Sequence, residues 1–196
     1  STINQLVATN NGGDQSIYLQ VTRVIALRNH VLLEDVQPTV FLMSSTLVSN
    51  GPTTAIAAIT LPDFRWQRCD IKTTSLLANV MSRFEASRLG SEEAIFIRDG
   101  FVTEGASSNV FVVKSGRIKT PPLSPGILPG VTRNLLVELS RGPDFVIEQA
   151  MVSKDELADA YEVWVTSSGR EMVPVVRIDE RPIGDGNVGP MFLEVQ

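Results

Sequence analysis

"FVTEGASSNVFVVKSGRIKTPPLSPGILPG", Phe101–Gly130, contains the strand material of a sheet and residues that no plain hairpin needs. "FVTEG" and "NVFVV" read as short strands, with "KSG" as a tight turn and "RDG" just upstream as another. Between the strands stand Glu104, Gly105, Ser107, Ser108 and Asn109, and two proline-rich turns close the stretch. A glutamate beside a glycine and a run of short hydrogen-bonding side chains are parts set at the edge of a sheet to meet something.

Working outward, "TAIAAIT" reads as a strand that its alanines weaken, and "AIFIRDG" as a firmer one. "SLLANVMSRFEASRLG" changes period: Leu76, Leu77, Val80, Met81 and Phe84 form one helical stripe, with Gly90 as the stop. After "LPG", "VTRNLLVELS" predicts a helix with Leu135, Leu136 and Leu139 inward. "FVIEQA" and "YEVWVTSSG" read as strands, and Ser153 with Glu156 has capping-box spacing for a short helix. Near the front, Ile3, Leu6 and Val7 have helical spacing before "NNGGD" breaks it. "SIYLQVTRV" alternates, with Ile17, Leu19 and Val21 on one face and Tyr18, Gln20 and Thr22 on the other, and "TVFLMSSTL" is a second strand. This mixture predicts an α+β fold with mainly antiparallel sheet. The expected division is a small α/β domain's remainder at 1–47, a linker at 48–54 around "SNGPTT", and a large domain at 55–196.

Composition limits the function. The net charge of −5 provides no broad electropositive field and argues against general nucleic-acid binding. Cys69 is the only cysteine, so an internal disulfide framework is impossible and a reducing, cytoplasmic setting is expected. No apolar run reaches membrane-spanning length, and the start lacks the order of a signal peptide. A single histidine, His30, makes a transition-metal centre unexpected.

Four positions or clusters bear chemistry, each with a plainer alternative. Lys114, Lys119 and Lys154 read as solvated charges, whereas Lys72 in "RCDIKTTSLL" lies between an alternating segment and a helix. There it is either a surface lysine or an amine confined in a pocket, as a Schiff-base lysine must be. Glu104 is either a solvated acid in a polar turn or an acid fixed beside a cationic heteroatom. In "ILPGVTRNLL", the amides of Val131 and Thr132 after Pro129 and Gly130 make either an ordinary helix cap or an anion site, to which "TSSG" at Thr166–Gly169 could add donors. Arg28 and His30 form an R-x-H pair, an exposed basic turn or a carboxylate clamp. The dinucleotide and Walker glycine signatures are absent. Together these parts match the inventory of a pyridoxal phosphate enzyme acting on amino acids.

"RCDIKTTSLLANVMSRFEA", "EAIFIRDGFVTEGASSNVFVV", "TPPLSPGILPGVTR", "YEVWVTSSG" and "RPIGDGNVGP" occur in an order that resembles the class IV, branched-chain/D-amino-acid aminotransferase family, over nearly the whole chain. The resemblance implies fold type IV and pyridoxal 5′-phosphate as cofactor. It makes Lys72 the lysine that holds the cofactor and shuttles the proton, and Glu104 the partner of the pyridine nitrogen. It places Arg68 near the ring, Val131 and Thr132 at the phosphate, and Thr166 and Ser167 at further contacts, with Ser108, Asn109, Leu128 and Gly130 around them. "QVTRVIALRNH" is similar to the D-amino-acid transaminase branch, which implies Tyr18, Arg28 and His30 on the substrate side, a homodimer, and D-amino acid and 2-oxo acid substrates. The L-branched-chain aminotransferases and the aminodeoxychorismate lyases of the same family are the alternatives, as is a non-catalytic domain that keeps the fold. Family members have a longer front, with an additional phosphate-binding arginine, so a chain lacking part of its small domain is expected.

Overall fold

A computed structural model of the chain describes residues 2–31, 33–47, 54–142 and 145–196. The chain divides into two compact units, Ser1–Gly51 and Pro52–Gln196. Apart from Thr54, the expected linker at 48–54 lies outside the described residues.

The first unit has a helix, α1 (Thr2–Thr9), and an antiparallel pair, β1 (Gln15–Thr22) and β2 (Thr39–Thr46). The alternation expected for β1 shows in its side-chain bonds. The Tyr18 hydroxyl donates to Gln20 Oε1 at 2.8 Å, and Gln20 Nε2 donates to Thr22 Oγ1 at 3.0 Å, a ladder along one face.

The second unit is a nine-stranded sheet with helices. Its strands are β3 (Ile56–Pro62), β4 (Glu93–Arg98), β5 (Phe101–Gly105), β6 (Asn109–Lys114), β7 (Arg117–Thr120), β8 (Ile147–Gln149), β9 (Glu162–Ser167), β10 (Glu171–Ile178) and the short β11 (Arg181–Pro182). The order is β5-β4-β3-β10-β9-β6-β7-β8, with β11 beside β10. β3 runs parallel to β4 and β10, and β7 parallel to β8; every other pairing is antiparallel. Two hairpins follow from left-handed residue pairs, Asp99–Gly100 and Ser115–Gly116, which match the twist of the strands they join.

Both faces of the sheet are covered, so the middles of its central strands are apolar. Val110 and Val112 of β6 and Val163 and Val165 of β9 point into one core. Phe111, Val113 and Trp164 point into the other, where Leu136 of α3 (Val131–Leu139) and Phe192 of α5 (Pro190–Val195) cover them. The first core is closed by Leu157 of α4 (Lys154–Ala158), whose capping box forms as expected. A third cluster joins Ala86 of α2 (Leu77–Arg88) to Ala94, Phe96 and Ala106.

One helix face differs from expectation, and a second shows which way its stripe turns. In α3, Arg133 and Leu136 are buried, while Leu135 and Leu139 are 51% and 56% exposed. The buried residues recur at i, i+3 and on to Ser140, which turns the neighbouring leucine stripe away from the sheet. In α2 the buried residues are Ser82 and Ala86, and the stripe of Leu77, Val80, Met81 and Phe84 faces outward.

Glu162 holds the last helix. Its carboxylate is buried and accepts from Trp164 Nε1 at 3.1 Å, Met191 N at 2.9 Å and Phe192 N at 2.8 Å. It thus satisfies two first-turn amides of α5 that have no partner within the helix. Replacing Glu162 with Ala leaves those amides without an acceptor and costs about 2–4 kcal/mol. Chemical denaturation measures the loss, and hydrogen exchange at Met191 and Phe192 accelerates before global unfolding if α5 is released first.

Candidate active site

The edge expected from the sequence is built on one buried carboxylate. Glu104 lies near the end of β5, where Arg65 Nη1 donates to its Oε1 at 2.5 Å. Its Oε2 accepts from Leu128 N at 2.9 Å and Asn109 Nδ2 at 3.3 Å. Three segments distant in sequence are thereby tied together: the loop after β3, the start of β6, and the turn before α3. Asn109 Nδ2 also donates to the Leu128 carbonyl oxygen at 2.9 Å. Gly130 leaves room beside it, because a Cβ there would crowd Asn109 Oδ1 and displace the amide from these bonds.

Arg65 is the cation that the sequence reading missed. It is almost fully buried, lies 4.4 Å from the centroid of the Phe96 ring, and also pairs with Asp63 at 2.9 Å. Arg98 meets the same Asp63 at 3.0 Å. Burial pushes the Glu104 carboxyl above the ordinary glutamate value, and the Arg65 contacts offset this only in part. Burial would also raise Asp63, but Arg65, the Thr103 hydroxyl and Arg98 together bring it below its usual value. A hint lay in the sequence: "PDFRW" places an acid two residues before an arginine at a strand end.

The loop after β3 is stapled to the proline-rich turn. Cys69 N donates to the Pro125 carbonyl oxygen at 2.8 Å, and Arg65 Nη2 to that of Gly126 at 3.2 Å. This brings Lys72 to the wall of a cavity of about 760 Å³. Glu104, Ser108, Asn109, Leu128, Gly130, Val131, Thr132, Thr166 and Ser167 line the same cavity. Lys72 is exposed and forms no ion pair among the described residues.

Not every expected residue arrives there. Arg68 lies on the surface, its guanidinium held by Asp70 at 2.9 and 3.0 Å, and it does not line the cavity; Arg65 does. Tyr18, Arg28 and His30 belong to the first unit, Tyr18 on β1 and the other two exposed in the irregular connection between β1 and β2.

The other walls are prepared for polar contact. α3 begins at Gly130 without a side-chain cap, which leaves first-turn amides open toward an anion. Thr166 is buried near the end of β9, and its Oγ1 has no hydrogen-bond partner among the described residues. The Ser107 and Ser108 hydroxyls donate to a fully buried Glu93 at 3.1 and 2.9 Å. Glu93 was also missed; "SEEAIF" gives no sign which acid turns inward.

A model of the Amino-transferase class IV family matches residues 1–178. The chain belongs to that family. It is 41% identical to a D-alanine aminotransferase of Bacillus licheniformis, over 100% of this chain and 70% of that protein. It is 39% identical to a D-alanine aminotransferase of Staphylococcus haemolyticus, over 99% of this chain and 70% of that protein. Among solved structures, the branched-chain amino acid aminotransferase of Escherichia coli shares the fold, with a TM-score of 0.86 and 24% identity over 100% of this chain and 67% of that one. The family's enzymes depend on pyridoxal phosphate, and the α+β, fold-type-IV expectation stands.

The residues present fit that group. The open start of α3, the glycine-lined approach at Gly130 and the partnerless Thr166 hydroxyl suit a phosphate. A carboxylate has about four lone-pair sites. Glu104 uses three of them on Arg65, Asn109 and Leu128, which leaves one for a ring N–H.

Arg65→Met strips the cation from Glu104 and Asp63. Loss of one partner from a buried ion pair costs about 3–5 kcal/mol. The sign of its pH dependence follows from the two acids. Asp63, lowered in the folded state, contributes stability above its unfolded pKa and loses it as pH falls through the folded value. Glu104, raised further without Arg65, opposes folding above its unfolded pKa, and that cost fades as pH falls from the raised folded value toward the unfolded one. The variant's deficit is therefore greatest near neutral pH and shrinks on acidification, the Glu104 part as pH falls toward about 4 and the Asp63 part below it. Urea denaturation across that range checks it.

Proposed function

We propose that this protein transfers the amino group of a D-amino acid, such as D-alanine, to a 2-oxo acid, such as 2-oxoglutarate, using pyridoxal 5′-phosphate. The observation that carries the reading is the shared cavity of Lys72, Glu104 and the start of α3. The 41% identity to a D-alanine aminotransferase favours the D-branch.

Bound pyridoxal phosphate supplies an electron-accepting ring that eases removal of a substrate α-proton. Lys72 Nζ, the one lysine on the cavity wall among the described residues, would hold the group at its aldehyde carbon with loss of water, and would move that proton. Glu104 would hold a proton at the ring nitrogen, and Arg65 keeps Glu104 in place. The amides of Val131 and Thr132, with Thr166 and Ser167, bind the phosphate, and Ser108, Asn109, Leu128 and Gly130 shape the wall beside it. The role foreseen for Arg68 passes to Arg65. Tyr18 lines the substrate side, and Arg28 with His30 binds the substrate carboxylate, supplied from one subunit to the substrate of the other. The homodimer this requires is supported by the outward apolar stripe of α2. We read 1–47 as part of a small domain and 55–196 as the cofactor domain. A cytoplasmic setting accords with the single cysteine.

The purified chain, incubated with pyridoxal phosphate, develops a visible absorption band. Borohydride then fixes the adduct on Lys72, as mass spectrometry of peptides shows, and Lys72→Ala abolishes both. Normal folding with no adduct at Lys72 leaves a non-catalytic domain instead. Paired assays of D- and L-alanine with 2-oxoglutarate favour the D-isomer. Preference for L-amino acids would move the protein to the branched-chain group, and pyruvate release from aminodeoxychorismate without an amino acceptor would make it a lyase.

A further inference from the structure

The two buried arginines of the cavity wall are provided for differently. Arg65 has the carboxylates of Asp63 and Glu104. Arg133, the third residue of α3, is 1% exposed and has only neutral acceptors. Its Nη2 donates to the Pro121 carbonyl oxygen at 2.8 Å and to Gln149 Oε1 at 3.0 Å, and its Nη1 to Asn134 Oδ1 at 3.1 Å. Its Nε is buried without a hydrogen-bond partner, and no ion pair reaches it among the described residues.

That arrangement is unfavourable as it stands. Burial lowers the basicity of Arg133, with no acid to oppose the effect. Arginine nonetheless keeps its proton in proteins, so the charge cannot be shed. The start of α3 carries further positive potential of the same sign. Two positive sources therefore meet at one wall of the cavity, where Thr166 Oγ1 also lacks a partner. The opposite requirement, a cation, is already met at Glu104 by Arg65. The unneutralised charge at this wall suits an anionic group.

We propose that Arg133 is an electrostatic positioning residue for the cofactor's phosphate. Its guanidinium is fixed by Pro121, Gln149 and Asn134 and acts through the field it adds to that of the α3 amides. This inference rests on the cofactor reading above. It adds a charge within this chain to the backbone and hydroxyl donors that Val131, Thr132, Thr166 and Ser167 provide.

The test compares pyridoxal 5′-phosphate with pyridoxal, which has the same ring and aldehyde but no phosphate. Dissociation constants are measured for the full chain, for Arg133→Met and for Arg133→Lys, with thermal unfolding of each ligand-free protein. Loss of the charge is expected to weaken pyridoxal phosphate by about tenfold or more and pyridoxal by less than about twofold, because only the phosphate senses the field. In phosphorus NMR, the bound phosphate's second pKa rises in Arg133→Met, a change that a packing role would not produce. Arg133→Lys retains most of the preference for the phosphorylated ligand. Equal weakening of both ligands, or an unmoved phosphate pKa, overturns the proposal. If the methionine variant does not fold, the lysine variant decides: a folded Arg133→Lys protein that loses the preference shows that geometry, not charge, was at work. If the unaltered chain binds neither ligand, the cofactor reading itself falls, and this inference with it.

Discussion

The Glu104 carboxylate is the constraint on which the cavity depends. An ionised acid cannot remain buried without partners, so the chain must deliver donors to it from several directions. Arg65, Asn109 and the Leu128 amide do this, and each comes from a different segment. Satisfying one charge therefore sets the positions of the lysine-bearing loop, the start of β6 and the turn that opens α3. Asp63 and Arg98 extend the same network, so that Arg65 is itself held from both sides.

The sheet contributes direction. β5, β6 and β9 each end or begin at the cavity, and Glu104, Asn109 and Thr166 are the residues at those ends. The antiparallel pairing of β6 with β9 puts Asn109 directly opposite Thr166. Glu104, Asn109 and Thr166 are thus carried on a rigid frame backed by apolar cores, while loops supply Lys72 and the turn that opens α3.

Much of this was legible in the sequence, for identifiable reasons. The hairpin turns were, because Asp99–Gly100 and Ser115–Gly116 have a local conformational requirement that their residue types announce. The capping box of α4 and the helix after Gly130 were, for the same kind of reason. Ten expected residues share a cavity because short motifs hold them near strand and helix ends. What did not show was long-range. β10 was not read as a strand: Pro174 lies inside it, one residue before the pairing with β3 begins, and proline weakens any strand pattern. Arg65 and Arg68 are both arginines in one loop, and only the folded partner distinguishes them, Glu104 for one and Asp70 for the other. The inward faces of α2 and α3 escaped because periodicity finds a stripe without saying what covers it.

The place of β10 also bears on how the second unit comes into being. It lies between β3 and β9, pairing Val175 with Ile56 across most of the unit's length in sequence. Early strands can form their hairpins while synthesis continues, but β3 has no neighbour on that side until β10 has been made. Bringing such distant segments together carries a large loop-closure cost before any contact rewards it. Assembly of the central sheet is therefore a late event, and during translation the inner edge of β3 must wait, open to wrong strands, for its own.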